Sequence, residues 1–250
     1  MPVLNIAAYR FVRIADGDAV AARVRDLCEE RALKGSVLVA PEGINLFLAG
    51  DGQGIDSFLQ ALAEDPRFAD LAVKYSDSDS VPFRRLRVKN KPEIITFRDA
   101  SLQPESGRAP TVEPMVLREW LRRGRDEAGR DIVLLDTRNA QEAAHGSFAG
   151  ALSLPIDKFT DLPEALETHR DSLRGKTIVS FCTGGIRCEK AALWMQQAGY
   201  ENVLQLEGGI LGYFEQVGGE GYEGDCFVFD ERIALDPQLR PSRRIDEAAA

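Results

Sequence analysis

The stretch Ser180-Phe181-Cys182-Thr183-Gly184-Gly185-Ile186-Arg187-Cys188-Glu189-Lys190 decides how the second half of this chain folds. An apolar run, Thr177 to Phe181, ends at a cysteine. A glycine-containing loop follows, and an amphipathic helical pattern begins around Cys188. Glycines let the backbone curve until successive amide N–H groups converge on one point, where the helix start adds partial positive charge. Cys182 is placed at the centre of that anion cradle, which Thr183, Gly184, Gly185, Ile186, Arg187 and Cys188 form. Arg187 is expected to add a full positive charge. Each effect favours thiolate over thiol, the state a nucleophilic sulfur needs. Cys182 is therefore the candidate catalytic residue, and the same cradle would hold a persulfide or an oxyanion.

Working outward, strand-like runs at Ile132–Leu135, Ala151–Leu154, Thr177–Phe181 and Asn202–Leu206 alternate with helical patterns that include Met115–Arg122 and Lys190–Ala198. Gly199 stands where a helix C′ glycine would. The alternation predicts a parallel central sheet with crossover helices. Asp136 and Arg138 end the first long strand on the side where α/β sheets place their sites. They are read as supporting residues, which brace the cysteine loop through an ion pair or orient substrate. Glu142 and His145 lie just beyond. His145 is either an acid/base group or an exposed loop histidine.

Upstream, Leu4 to Ile14 reads as a strand, and Val20, Val24, Leu27 and Cys28 mark a helix. Ser36–Ala40 and Ile44–Leu48 face each other across Pro41-Glu42-Gly43. A second helix opens at Asp51-Gly52, and Leu71–Tyr75 is a further strand. The order β-α-β-β-α-β predicts a ferredoxin-like unit. An extended stretch from Pro82 to Arg98 follows, then a Pro/Gly/Ser-rich segment at 103–110. The expected organisation is an N-terminal α+β domain over 1–100, a linker over 101–111, an α/β domain over 112–220 and a C-terminal extension over 221–250. Asp246–Ala250 is expected to be a frayed tail.

Composition narrows the chemistry. Two modest domains suit 250 residues, 44% of them apolar. No apolar run is long enough to cross a bilayer, and the start lacks a basic region followed by an apolar core, so a cytoplasmic protein is expected. The four cysteines (28, 182, 188, 226) form no Cys-x-x-Cys pair, and there are only two histidines, His145 and His169. Neither a disulfide scaffold nor a metal site is read, and no Gly-x-Gly-x-x-Gly turn suggests a dinucleotide, so no cofactor is evident. Cys28 and Cys226 are read as core residues. Cys188 is either a helix-start residue or a thiol that resolves an oxidised Cys182.

The net charge of −9 is unevenly placed. The first 110 residues carry 15 Lys+Arg against 16 Asp+Glu, and the remainder 16 against 24. An anionic polymer would need a local patch, most plausibly in the first half. Arg84, Arg85, Arg87, Lys89 and Lys91, with Arg98 beyond, supply one, interrupted only by Glu93 and flanked by Phe83 and Phe97. Cations beside aromatics grip single-stranded or loop RNA. The ordinary alternative is a solvated edge strand guarded by charge.

Cys182 to Lys190, Leu206-Glu207-Gly208-Gly209-Ile210, Cys226-Phe227-Val228-Phe229-Asp230 and Ala40-Pro41-Glu42-Gly43-Ile44-Asn45 together resemble the rhodanese-domain tRNA uridine hydroxylase family, over about Leu4 to Asp230. The resemblance implies an N-terminal ferredoxin-like (acylphosphatase-like) domain and a C-terminal rhodanese domain. It implies oxygen-dependent formation of 5-hydroxyuridine at the tRNA wobble position, molecular oxygen as co-substrate, and Cys182 as the family's active-site cysteine, customarily a persulfide carrier. The implied partner is the tRNA anticodon loop, with no part for DNA or a membrane. This chain departs from the family pattern at Thr137, where valine is usual, at Gln141, where tyrosine is common, and in having no cysteine after Cys226.

The leading expectation is thus wobble-uridine hydroxylation. The runner-up is a sulfurtransferase that moves sulfane sulfur through a Cys182 persulfide. An RNA-binding module with a degenerate rhodanese domain comes third, and the intact Cys182 loop argues against it. Tyrosine-phosphatase loops place five residues between Cys and Arg. Only four separate Cys182 from Arg187, which suits sulfur or a small anion better than a phosphoryl group.

Overall fold

The computed structural model describes residues 3–242. The chain divides into two compact units. One takes the residues up to Ile95 together with Phe229–Arg232, and the other takes Thr96–Val228 together with the residues from Ile233 onward.

The first unit runs β1 (Val3–Phe11), α1 (Gly17–Glu30), β2 (Lys34–Ala40), β3 (Gly43–Gly50), α2 (Gly52–Ala63), β4 (Val73–Ser78) and β5 (Leu86–Asn90). Its sheet has the order β4-β1-β3-β2-β5, with the first four strands antiparallel and β5 parallel to β2. This is the split β-α-β-β-α-β arrangement expected, with one strand added at an edge. Strand alternation sends Ile6, Val37, Ile44, Leu46 and Leu48 to one face, where Val24 and Cys28 of α1 and Ile55 and Phe58 of α2 close the core. Asp51 caps α2 by accepting the Gln53 N–H at 3.1 Å. Of the extended stretch expected over Pro82–Arg98, only Leu86–Asn90 is a strand. Lys91 still donates to the Val39 carbonyl at 2.8 Å, but Pro92 has no N–H with which to continue the ladder.

The second unit runs β6 (Thr111–Val112), α3 (Pro114–Arg123), β7 (Ile132–Asp136), α4 (Ala140–Ala143), β8 (Gly146–Phe148), β9 (Leu152–Ser153), α5 (Leu162–Glu167), α6 (Arg170–Leu173), β10 (Thr177–Phe181), α7 (Ile186–Gln197), β11 (Val203–Leu206) and α8 (Gly209–Val217). The five-stranded sheet has the order β6-β11-β10-β7-β9 and is parallel throughout. All five residues of the central β10 are buried, as a parallel strand covered on both faces requires. After β7 the chain adds β9 on one side, then returns to lay β10 on the other. The order therefore reverses between β7 and β10, and their carboxyl ends, Asp136 and Phe181, stand side by side. Gly199 does take the C′ position, with φ of +81° and its N–H on the Gln196 carbonyl.

Two local expectations change. Helix α7 starts at Ile186, two residues early, and it is not amphipathic: Cys188, Glu189, Lys190, Ala191, Ala192 and Met195 are all buried. The segment expected as a linker is fastened onto the second unit. Arg108 Nε donates to Glu189 at 2.9 Å, and Gln205 Nε2 donates to the Ala109 carbonyl at 3.2 Å. The chain after α8 adds β12 (Tyr222–Gly224), antiparallel to β8, then β13 (Cys226–Phe227) and β14 (Ala234–Leu235), which pair with each other. The frayed tail expected at Asp246–Ala250 lies outside the described residues.

Candidate active site

Cys182 follows β10 directly, at the carboxyl edge of the sheet where the strand order reverses. Such edges are where open α/β sheets bind their ligands. Its Sγ accepts the Gly185 N–H at 3.1 Å and also the backbone N–H of Arg187. Gly185 turns the chain into α7 at φ +98°, so the amides of that first turn face the sulfur. A second helix start holds the loop from behind: Ile210 N–H donates to the Cys182 carbonyl at 2.9 Å and Leu211 N–H to the Thr183 carbonyl at 3.0 Å. Gly209, at φ +61°, lies so close that a Cβ there would sit 2.5 Å from the Cys182 carbonyl oxygen and 2.6 Å from the Gly185 nitrogen. The geometry makes Leu206–Ile210 the floor of the cradle.

Burial by itself would raise the Cys182 pKa. A hydrogen bond from Cys188, the charge of Arg187 and the amides of Arg187 and Gly185 together overcome that penalty and bring it down to about 6. Cys188 moves the opposite way, pushed well above the usual thiol range by burial and then by the neighbouring Cys182. The two sulfurs thus take different roles, with Cys182 the anion and Cys188 the S–H that donates to it. Thr137 reinforces this corner. Its hydroxyl donates to the Phe181 carbonyl at 2.9 Å and lies 3.8 Å from Cys188 Sγ. Cys28 and Cys226 are fully buried thiols raised to about 12, mainly by burial, which is the core role expected of them.

Arg187 corrects one expectation. Its side chain does not present an open positive charge to the loop, because it forms a two-pronged pair with Glu142 at 2.5 and 2.8 Å. The sulfur feels a charge already shared with a carboxylate. Glu142 is itself held by a reciprocal cap with Asn139, at 2.8 and 3.0 Å, at the start of α4. Asp136 and Arg138 sit wholly inside the protein, 2.6 Å apart. Asp136 also accepts from Ser147 at 2.8 Å, and Arg138 donates to the Gly146 carbonyl at 2.6 Å. With both side chains at 0% exposure, the pair ties the end of β7 to β8 and turns no group outward.

A pKa of about 6 favours the anionic sulfur, but that sulfur is not exposed. Cys182 retains 2% of its surface. The Cys226–Val228 segment packs against the residue after Cys182: the Thr183 hydroxyl donates to the Phe227 carbonyl at 3.2 Å, and the Phe227 ring lies 5.4 Å from that of His145.

In the first unit Arg84, Arg85, Arg87, Lys89 and Lys91 are all exposed. Arg87 and Lys89 point away from the helices, alternating with Leu86 and Val88, which pack on the core. Arg84 pairs with Glu231 at 3.0 Å. Phe97 corrects the picture of a basic strip flanked by two aromatics. It is buried in the second unit, 4.8 Å from the Phe159 ring and 6.5 Å from Trp194. Among the described residues no helix is long and apolar enough to cross a membrane.

A parallel sheet, a strand-end cysteine and an amide cradle at the point of strand reversal define a rhodanese-like domain, and residues 117–216 match the family described as "Rhodanese-like domain". Residues 3–94 match the "UPF0176 acylphosphatase like domain". The chain is 65% identical over 247 residues to a protein of Xanthomonas euvesicatoria pv. vesicatoria named tRNA uridine(34) hydroxylase, covering 99% of this chain and 100% of that one. It is 60% identical over 241 residues to a protein of the same name from Xylella fastidiosa, covering 96% and 94%. The chain belongs to the tRNA uridine(34) hydroxylase family.

Proposed function

We propose that this chain hydroxylates uridine 34 of tRNA at C5, with Cys182 as nucleophile and dioxygen as co-substrate. The observation that carries the reading is the Cys182 sulfur, held as an anion by the N–H groups of Gly185 and Arg187 and the thiol of Cys188. The names borne by relatives at 60–65% identity supply the substrate and favour hydroxylation over sulfur transfer. A thiolate of low proton affinity suits addition to C6 of the uracil ring. That addition shifts the C5–C6 electron pair toward C5, which takes one atom of dioxygen as hydroxyl while an external two-electron donor and two protons carry the other atom away as water. Loss of the C5 proton and expulsion of the thiolate then restore the ring. A base in the anticodon loop is turned out at little cost because no duplex has to open. Arg84, Arg85, Arg87, Lys89 and Lys91 are the cations proposed to meet tRNA phosphates. The reaction's place is the cytoplasm.

The test is mass spectrometry of tRNA nucleosides from cells lacking the protein, complemented with the wild type or with Cys182→Ser. Loss of 5-hydroxyuridine derivatives, restored by the wild type alone, is the expected result. Unchanged wobble nucleosides, with thiosulfate-dependent thiocyanate formation by the purified protein, would replace the reading with sulfur transfer.

A further inference from the structure

The first unit packs both helices on one face of its sheet, and the residues of the other face follow from the strand register. One row crosses all five strands as Lys74, Ala7, Phe47, Ser36 and Arg87. The next contains Tyr9, Asn45, Leu38 and Lys89. The third carries Ser76, Asn5, Ala49 and Lys34. Cations thus stand at both edges, an aromatic stands at the centre, and none of these positions is a carboxylate. The segment Phe229–Arg232 belongs to this unit and lies over part of the face. Arg232 Nη1 donates to the Ser76 hydroxyl at 2.7 Å, and the Phe229 ring stacks at 6.1 Å, tilted, against Phe47. The acids this segment brings are already met, Asp230 by Arg232 and Glu231 by Arg84. Phe229 keeps 49% of its surface, an unusual exposure for a ring already resting on another.

From this arrangement we propose that the helix-free sheet face of the first unit, centred on Phe47 and Phe229 and edged by Lys74, Arg87 and Lys89, docks a single-stranded segment of the RNA substrate. The proposal rests on tRNA being the substrate and says which surface grips it. Asn5, Asn45 and Ala49 in the middle of the face are buried, so the accessible part is the Phe229 ring and the β5 edge with Arg87 and Lys89, room for one or two splayed nucleotides. Bases stack on an exposed ring such as that of Phe229 without regard to sequence, and phosphates run toward the cations of the β5 edge. A duplex fits poorly, because its bases are not available to stack. The surface extends the basic strip of β5 to four further strands that no local run of charges reveals.

The test is equilibrium binding of fluorescently labelled tRNA to the full chain across a salt series. Phe229→Ala and Phe47→Leu are each expected to weaken binding by ~10-fold. The double reversal Arg87→Glu with Lys89→Glu is expected to weaken it further and to reduce the slope of log affinity against log salt by about 1.4, two phosphate contacts at the single-strand value. Arg23→Ala, on the helix side where Arg23 pairs with Glu64, should change nothing. An unstructured oligonucleotide should compete and a duplex of equal length should not. The melting temperature and the Cys182 alkylation rate of each variant report whether both units are intact. Folded variants that all bind within twofold of the wild type would overturn the surface and leave the function standing. A wild-type chain that binds no tRNA would overturn both.

Discussion

Around Cys182, charge is enclosed and answered. Arg187 meets Glu142, Arg138 meets Asp136, and the sulfur meets two amides and a thiol. On the helix-free face of the first unit, Arg87 and Lys89 stand exposed at an edge strand. The contrast follows from what each region is for. A thiolate stays reactive and anionic inside a protein only where fixed dipoles replace water, so every neighbour has to be placed. A grip on an anionic polymer gains from cations that keep their hydration until the partner arrives and then act additively. Substitutions in the first region should therefore be severe and indivisible, those in the second graded and salt-dependent.

The sharpest way to break the comparison is Cys182→Ala. Hydroxylation of tRNA should fall by at least about 10³-fold, the scale of losing a covalent nucleophile, while tRNA affinity stays within twofold. Comparable losses of affinity and turnover would show that the two regions are not separable. Next in size is Glu142→Gln. It leaves Arg187, only 12% exposed, without its carboxylate, and breaking a nearly buried pair costs about 3 kcal/mol. Urea unfolding of the second unit should register that loss. A change under 1 kcal/mol would mean the pair is solvated in solution.

Titration sharpens the picture further. The rate of Cys182 alkylation by a small reagent such as iodoacetamide should rise with pH through a midpoint about 6 and level off above it. Because the folded value lies below the ordinary thiol value of 9.0, the ionised sulfur adds stability that is complete above that ordinary value and drains away as pH falls toward the folded one. Cys188→Ala removes a donated hydrogen bond and should move the midpoint upward. An unmoved midpoint would assign the whole effect to the amides and Arg187. Given the 2% exposure of Cys182, a bulky thiol reagent should lag far behind iodoacetamide, and Phe227→Ala should narrow that gap.

The same contrast explains what could be read in advance. Strand β10, the glycine loop and Cys182 are contiguous, so local pattern sufficed for the cradle, as it did for the run of cations from Arg84 to Lys91. The pairing of Glu142 with Arg187 was not legible, because it exists only where β7 and β10 are neighbours and joins residues 45 apart. Helix α7 begins two residues before Cys188 because the turn at Gly185 already sets the helical direction, although Ile186 and Arg187 look like loop in sequence. Phe97 leaves the basic run for the second unit, because adjacency in sequence does not reveal which unit claims a side chain. The Phe229–Arg232 excursion has no periodicity at all, and only its contacts with Phe47, Ser76 and Arg84 disclose it.

The smallest expected effect tests whether the exposed region is additive. Arg84 keeps 92% of its side chain in solvent and pairs with a Glu231 that is 55% exposed. Such surface pairs contribute from nothing to about 1 kcal/mol, so Arg84→Ala should leave unfolding within that margin. The same change frees Glu231 beside the stacked Phe229, placing an unanswered carboxylate where RNA phosphates are proposed to pass. Its effect on tRNA binding should therefore exceed its effect on stability, and it should fade as salt screens the new repulsion. Replacing Glu231 with Gln in the same chain should recover part of the affinity. If Arg84→Ala unfolds the first unit but spares binding, this edge is a structural clamp, and the additive account of the exposed region fails there.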